Sequence, residues 1–273
     1  MIKFWELYEN GDWVKPFLIL SISLFIAASF ILYLLIIRSR SKNIRKDRLR
    51  IEYSTFIEKF MFALVFQDTP FSSIKEDKDY EEFSKTSFFR EVLMDSIINL
   101  HKNYEGIYAK KLEQFYKDSG LINDSFKKLR SLKWEIKCKG ITELAELNVA
   151  ESFGSIMKVS KARNKTLKIT ALNACIKLAG IKGIEHLTEH QHPIDDWTQL
   201  NIIHAFKKHD IGDIKGVELL LESKNTTVVI LGLKLIKELK LSQKLPYVTQ
   251  LAAVAPNIQV KYIAQDVLQT LTV

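Results

Sequence analysis

The chain has 273 residues, of which 47% are apolar and 26% are charged. This balance is typical of a globular protein with a hydrophobic core and excludes an intrinsically disordered chain. The formal net charge is +8, but residues 1–37 carry −1, residues 38–50 carry +6 and the other 223 residues carry only +3. Because nucleic-acid-binding folds usually present a broad basic face, no nucleic-acid partner is predicted.

The first element is an uncharged run at residues 17–37, FLILSISLFIAASFILYLLII. As a helix it would be about 31 Å long, close to the roughly 30 Å of a bilayer's hydrocarbon core. A signal peptide is the weaker interpretation, because residues 1–16 are net acidic and the apolar run exceeds about 15 residues. A soluble core helix would show a polar face. We therefore predict a transmembrane helix, with Trp13 and Tyr33 near its two interfaces.

The next segment, residues 38–50, reads RSRSKNIRKDRLR and is strongly basic. Basic residues beside a span stay on the cytoplasmic side. Residues 1–16 are therefore expected outside, and everything after Arg38 is expected in the cytoplasm at a bacterial inner membrane. The same side chains are expected to contact anionic lipid headgroups: Arg38, Arg40, Lys42, Arg45, Lys46, Arg48 and Arg50. A nucleic-acid-binding tail is less favoured, since this segment lies against the bilayer.

An aromatic-rich helical region is predicted at residues 51–130. One helix is expected to run from the basic segment to about Phe66, and the sequence leaves open whether it continues the span. Residues 67–82 are predicted to form an exposed loop, followed by a helix at about residues 89–117 that Gly106 weakens. Its apolar residues recur every three or four positions and are interpreted as core: Leu93, Ile97, Leu100, Tyr104, Tyr108, Leu112 and Phe115.

Residues 131–273 repeat a pattern with a period near 30 residues. A polar residue is followed by an apolar residue at +3, a small one at +7 and leucine at +14, as in NKTLKITALNACIKL from Asn164. Copies begin at residues 133, 164, 225 and 257, with a degenerate copy at 196. A second pattern lies between them, in IKGIEHL from Ile181 and IKGVELL from Ile214. The unit is therefore predicted to be a helical hairpin that stacks on its neighbours.

This pattern resembles HEAT repeats of the short bacterial type. The copy at residue 196 departs from it at Gln199, Leu200 and Ile203, and the last copy ends without a second helix. The resemblance implies a right-handed α-solenoid that serves as a protein-binding surface, with no particular chemistry. The predicted fold is thus all-α, with one N-terminal transmembrane helix followed by a cytoplasmic α-α superhelix.

Three histidines, His186, His190 and His192, form the strongest candidate for a metal site. No carboxylate completes a recognised ligand pattern, so solvated histidines are favoured and neither metal nor cofactor is predicted. Cys138 and Cys175 are expected to be reduced thiols. With no catalytic motif in the sequence, an enzyme is not expected.

The expected function is a membrane-anchored scaffold or adaptor. Its partner would be a membrane enzyme or a cytoplasmic regulator. The predicted contact residues lie on the shorter second helices of the hairpins: Lys182, Glu185, His186, Glu189, Lys215, Glu218 and Glu222. A regulatory or assembly subunit of a membrane-bound glycan synthase or envelope complex is the alternative. A signalling receptor ranks lower, because an outer segment of about 16 residues is too short to fold around a ligand.

Overall fold

A computed structural model describes residues 14–189, 192–209, 211 and 214–272. Every regular element in these ranges is helical, which confirms the predicted all-α class. The predicted outer segment at residues 1–16, with Trp13, lies almost entirely outside the described residues.

The first helix, α1, is one uninterrupted element of 53 residues, Val14–Phe66. It joins the apolar run, the basic segment and the first helix of the aromatic region, with a length of about 80 Å. Residues 17–66 contain no proline or glycine that would interrupt a helix. The helix ends shortly before Asp68, whose φ is 54°, and Pro70. Its apolar part is long enough to cross a membrane and is not buried against the rest of the protein.

The later half of α1 packs against the helical body through side chains spaced three and four residues apart. Tyr53, Ile57, Phe60 and Leu64 are all buried. The Tyr53 ring lies 5.0 Å from the Phe83 ring and 5.2 Å from the Phe89 ring, centroid to centroid. Aromatic pairs at such separations add to the stabilisation from area burial. Most rings of the aromatic region therefore form core, as predicted.

Five helices complete this region: α2 (Phe71–Lys75), α3 (Lys78–Ser84), α4 (Ser87–Asn103), α5 (Ile107–Asp118) and α6 (Leu121–Leu129). The predicted loop at residues 67–82 is wrong. It folds into α2 and α3, and Ile74 and Tyr80 from it are buried. The Asp77 carboxylate accepts hydrogen bonds from the Asp79 and Tyr80 amides and caps α3.

The prediction of one continuous helix at residues 89–117 is also wrong. The helix stops at Asn103, and α5 begins at Ile107 after Gly106, whose φ is 63°. A glycine adopts this left-handed conformation without the steric cost of a side chain. Leu93, Ile97, Leu112 and Phe115 are nevertheless buried, which confirms the interpretation as core for these four, whereas Tyr108 is 38% exposed.

The remaining helices are α7 (Trp134–Glu146), α8 (Phe153–Val159), α9 (Lys165–Ala179), α10 (Asp196–Lys208), α11 (Thr226–Glu238), α12 (Leu245–Ala253) and α13 (Ile258–Thr272). The five long helices begin within one residue of the predicted repeat starts. The side-chain oxygens of Asn164, Asn225 and Asn257 each accept a hydrogen bond from a backbone amide in the first turn of the helix that follows. In the degenerate copy, the cap is Asp195 rather than Asp196.

Successive long helices contact one another in chain order, from α7 through α9, α10 and α11 to α13. Ion pairs between lysine and carboxylate side chains join neighbouring long helices: Lys177 to Glu146 at 2.6 Å, Lys237 to Asp266 at 2.6 Å, and Lys207 to Glu238. The small residues at +7 permit close approach, since a Cβ on Gly232 would lie 3.0 Å from the Leu220 Cβ. The contacts between successive long helices thus depend on both small side chains and ion pairs.

Two hydrophobic clusters form the core, and α9 contributes to both. Cys175 belongs to the cluster that begins at Tyr53, and Ile176 belongs to the cluster that ends at Val267. Because the last copy lacks a second helix, the sequence predicts an uncovered apolar end at Val260, Ile263, Val267 and Leu271, which is wrong for Val260 and Val267. Val260 and Val267 are fully buried, and α13 packs against α11 and α12.

A buried ion pair joins α6 to α7. The Glu143 carboxylate is 2% exposed and accepts hydrogen bonds from Lys128 Nζ at 2.5 Å and Ser125 Oγ at 2.7 Å. Removing one partner of such a pair leaves a buried charge uncompensated.

We expect Lys128→Met to lower the free energy of unfolding by about 3 kcal/mol, because Glu143 would lose its counter-charge in a low-dielectric site. Denaturant unfolding of the full chain in mild detergent, followed by circular dichroism, measures this change. The matched control is Lys127→Met, since Lys127 is exposed on the same helix. Equal stability of the two variants would contradict the prediction.

Candidate functional site

The second repeated pattern forms tight 3₁₀ turns rather than the predicted shorter α-helices. Glu185–Glu189 and Val217–Glu222 are 3₁₀ segments that contact each other. Side chains three residues apart share one side of a 3₁₀ turn. This places Ile184 and Leu187 in the core, while Glu185 and Glu189 remain exposed.

A third 3₁₀ segment, Gly180–Gly183, comes just before Glu185–Glu189, and its last residue, Gly183, fixes how this part of the backbone packs. A Cβ on Gly183 would lie 2.5 Å from the Cys175 carbonyl carbon and 2.7 Å from the Ile176 amide nitrogen. The glycine therefore lets this backbone lie directly against α9. The identical glycine of the second pattern, Gly216, has φ of 96° and precedes the Val217–Glu222 segment.

An open groove of about 640 Å³ lies between the two 3₁₀ segments. Three of the predicted contact residues, Glu185, Glu189 and Glu222, line it. Ser223 Oγ donates a hydrogen bond of 2.8 Å to the Thr188 carbonyl oxygen and ties the two walls together. The structure thus brings together carboxylates that are 37 residues apart in sequence, and the groove, which we call the acidic groove, is suited to a basic ligand surface.

The other predicted contact residues do not line the acidic groove. Lys182 and Lys215 are exposed elsewhere, and His186 is half-buried with its Nε2 3.3 Å from Ser160 Oγ. Glu218 accepts hydrogen bonds from Lys244 Nζ at 2.7 Å and from the Gly216 amide. Burial opposes ionisation of Glu218, but the bond from Lys244 prevails and lowers the pKa of the carboxyl. Glu218 therefore has a structural role in joining repeats.

Sequence reasoning missed five residues of the acidic groove: Thr188, Leu219, Ser223, Lys224 and Asn225. Leu219 is 40% exposed, although it occupies an apolar position of the repeated pattern. Ser223, Lys224 and Asn225 belong to the turn that leads into α11. Their position just after the second repeated pattern was the feature of the sequence that could have identified them as groove residues.

The histidine cluster does not form a site in the described structure. An α-helix would place His186 and His190 one turn apart, but His186 lies in the 3₁₀ segment Glu185–Glu189. His190 lies outside the described residues. Among the residues that the structure describes, no group of three or more His, Cys, Asp or Glu side chains could hold a metal ion.

The basic segment lies between the apolar part of α1 and the helical body. Within it, Lys46 Nζ is 5.7 Å and Arg50 Cζ is 5.9 Å from the centroid of the Phe88 ring, which are cation–π distances. Phe88 lies in the first turn of α4. The first contact of α1 with the helical body, at Lys46, therefore lies only nine residues beyond Ile37, or about 14 Å along the helix.

The remaining predicted interface residues are exposed on α1. Tyr33 is 59% exposed, and Arg38, Arg40, Lys42, Arg45 and Arg48 point away from the packed core. Their exposure is compatible with headgroup contacts, which stay a prediction.

The two thiols differ in their surroundings. Cys175 is fully buried, and burial raises the pKa of its thiol to about 12. Cys138 is half-buried. Since thiolates are the reactive form, Cys175 is unsuited to nucleophilic chemistry.

We expect a maleimide at pH 8 to label one thiol per folded chain and two after denaturation. Mass spectrometry of the labelled chain measures the count. Cys138→Ser should abolish labelling of the folded protein, because Cys175 is shielded from water and stays protonated. Labelling of folded Cys138→Ser at the rate seen in denaturant would contradict the described packing of α9.

Comparisons with known proteins add no family assignment: no protein-family model, no curated protein and no solved structure matches the chain.

Proposed function

We propose that this protein is a membrane-anchored adaptor whose cytoplasmic helical body binds another protein. The observation that carries the proposal is the continuity of α1. The same helix bears an apolar run of membrane length and, farther along, the buried residues Tyr53, Ile57 and Leu64 of the body. A cleaved signal peptide would be a separate segment, whereas here the apolar run continues without a break into the helix that packs in the body.

The proposed orientation places the N-terminus outside and the body in the cytoplasm. The supporting feature is the charge difference across the span, +6 in residues 38–50 against −1 in residues 1–37. Positive residues close to a span are retained on the cytoplasmic side. A bacterial inner membrane fits this arrangement.

We further infer that residues 131–273 form a HEAT-like solenoid. Its support is the sequential contact of α7, α9, α10, α11 and α13, together with helix starts that lie 30–32 residues apart. Stacked repeats of this kind present continuous surfaces to partners. In this chain the acidic groove is the candidate contact surface, and a partner with a basic segment would complement Glu185, Glu189 and Glu222.

Gentle detergent extraction of the tagged full-length chain from its native membranes tests the proposal. The wild type should copurify reproducibly with one protein. The triple variant Glu185→Lys, Glu189→Lys, Glu222→Lys should lose most of it, because the surface charge is reversed.

The matched control reverses three other exposed glutamates, Glu82, Glu105 and Glu151, and should retain the partner. Equal recovery by both triple variants would remove the acidic groove from the proposal. Absence of any reproducible companion of the wild type would overturn the adaptor function.

A further inference from the structure

One face of α1 carries large apolar side chains that the helical body does not cover. In residues 38–66, four such side chains remain exposed: Ile44 at 46%, Ile51 at 68%, Phe62 at 55% and Phe66 at 42%. At about 100° per residue, all four fall within an arc of about 60° on the helix. The four side chains therefore lie along one side of the helix, with Arg48 and Thr55 between them, and we call this side the free face of α1.

Most of the free face is turned away from the rest of the protein, and at its end the Phe66 ring lies 5.5 Å from the Tyr104 ring and 5.3 Å from the Tyr108 ring. The buried residues Tyr53, Ile57, Phe60 and Leu64 centre on a direction about 175° away from the free face, at about 100° per residue. No described helix therefore lies over Ile44 or Ile51. Exposed apolar stripes of this extent are usually interaction surfaces.

The stripe also continues toward the apolar part of α1 with a regular period. Phe30, Ile37, Ile44 and Ile51 follow one another at intervals of seven residues. An apolar residue at every seventh position supplies one of the two core positions per heptad of a left-handed coiled coil; the other core position carries Ser41, Arg48 and Thr55 here. Lipid can cover Phe30 and Ile37, whereas Ile44 and Ile51 lie among charged residues beyond the apolar run, where a neighbouring helix would remove them from water.

We propose that a second copy of this chain covers the free face, so that two α1 helices pair in parallel from the membrane surface to Phe66. Copies inserted in one membrane share one orientation, and this makes their α1 helices parallel. A two-fold pair then brings each residue of the stripe against the same stripe of the other copy. The inference rests on the proposed membrane anchoring and goes beyond it, because it makes the adaptor bivalent.

The charges and the shape of the free face fit a second copy of the chain. Arg48 lies on the same arc, with Asp47 next to it in sequence, so Arg48 of one copy can meet Asp47 of the other. A single charged position on such a seam fixes the register at some cost in stability. Farther along, an open groove of about 370 Å³ lies between α1 and α4, with Phe62, Phe66 and Tyr104 in its lining. This groove can receive an aromatic ring from the second copy.

Disulfide cross-linking in native membranes tests the pair. The parent is the full-length chain with Cys138→Ser, in which the buried Cys175 gives the background. Ile44→Cys and Ile51→Cys report on the free face, and Lys42→Cys and Arg50→Cys are controls at similar heights on the opposite side. Because a disulfide needs Cβ atoms about 4 Å apart, oxidation should give several-fold more dimer at positions 44 and 51 than at 42 and 50.

Three outcomes overturn the inference: no dimer at any position, equal dimer at all four, or more dimer at 42 and 50. A second measurement adds Ile51→Glu to the Ile44→Cys reporter, which should reduce the cross-link several-fold. The exposed substitution Lys110→Glu should leave it unchanged.

Alkaline washing of the same membranes distinguishes a failure of the proposed membrane anchoring from a failure of the proposed pairing. Loss of the chain from the washed membranes overturns both the anchoring and the pairing. Retention of the chain without selective cross-links overturns the pairing alone.

Discussion

Gly140→Ala is expected to destabilise the helical body by about 3 kcal/mol, the upper part of the range for overpacked cores. An alanine Cβ at this position would lie 2.6 Å from the Leu129 amide nitrogen and 2.7 Å from the Ser125 carbonyl oxygen. Both are backbone atoms of α6, so no side chain can rotate away to make room. The substitution must therefore separate α6 from α7.

The measurement is denaturant unfolding of the full chain in mild detergent. Gly154→Ala is the matched control, because a Cβ on this α8 glycine meets nothing within 4 Å. In a helix that substitution alone is stabilising by roughly 0.5–1 kcal/mol. If Gly140→Ala were as stable as wild type, the close contact between α6 and α7 would be wrong.

The second large effect concerns the orientation of the chain in the membrane. Protease added outside intact cells should leave the wild-type body undigested. Replacing all seven basic residues of segment 38–50 by glutamine removes the charge difference that orients the span. A large fraction of this variant should then insert with the body outside and be digested.

The control replaces seven exposed basic residues of the body by glutamine: Lys127, Arg130, Lys133, Lys158, Lys161, Arg163 and Lys165. It lowers the net charge equally but leaves the residues beside the span unchanged. The body of this control should remain protected. Digestion of wild type and control alike would reverse the proposed topology.

Local signals in the sequence predicted the parts of the fold that depend on near neighbours. The apolar run of α1 and the capping residues Asn164 and Asn225 act within a few residues. The chain therefore shows the expected helix starts. The period of the repeat also predicted that Gly140 and Gly232 lie where helices approach closely, which the packing of α7 and α11 confirms.

The predictions failed where contacts distant in sequence decide the local structure. Residues 67–82 look polar, yet Ile74 and Tyr80 fold into α2 and α3 because they complete the aromatic core. The second repeated pattern forms 3₁₀ turns because Gly183 lies directly on α9. The acidic groove depends on the meeting of two such turns, and only Glu185, Glu189 and Glu222 of the seven proposed contact residues reach it.

The unbroken α1 also has a mechanical consequence. A helix without a hinge is a stiff lever, so any change in the tilt of its apolar part is transmitted to the other end. Over the roughly 42 Å from Arg38 to Phe66, a change in tilt of about 10°, well within the range of transmembrane helices, displaces Phe66 sideways by about 7 Å. Under the proposed anchoring, changes in bilayer thickness would therefore shift the position of the whole body relative to the membrane.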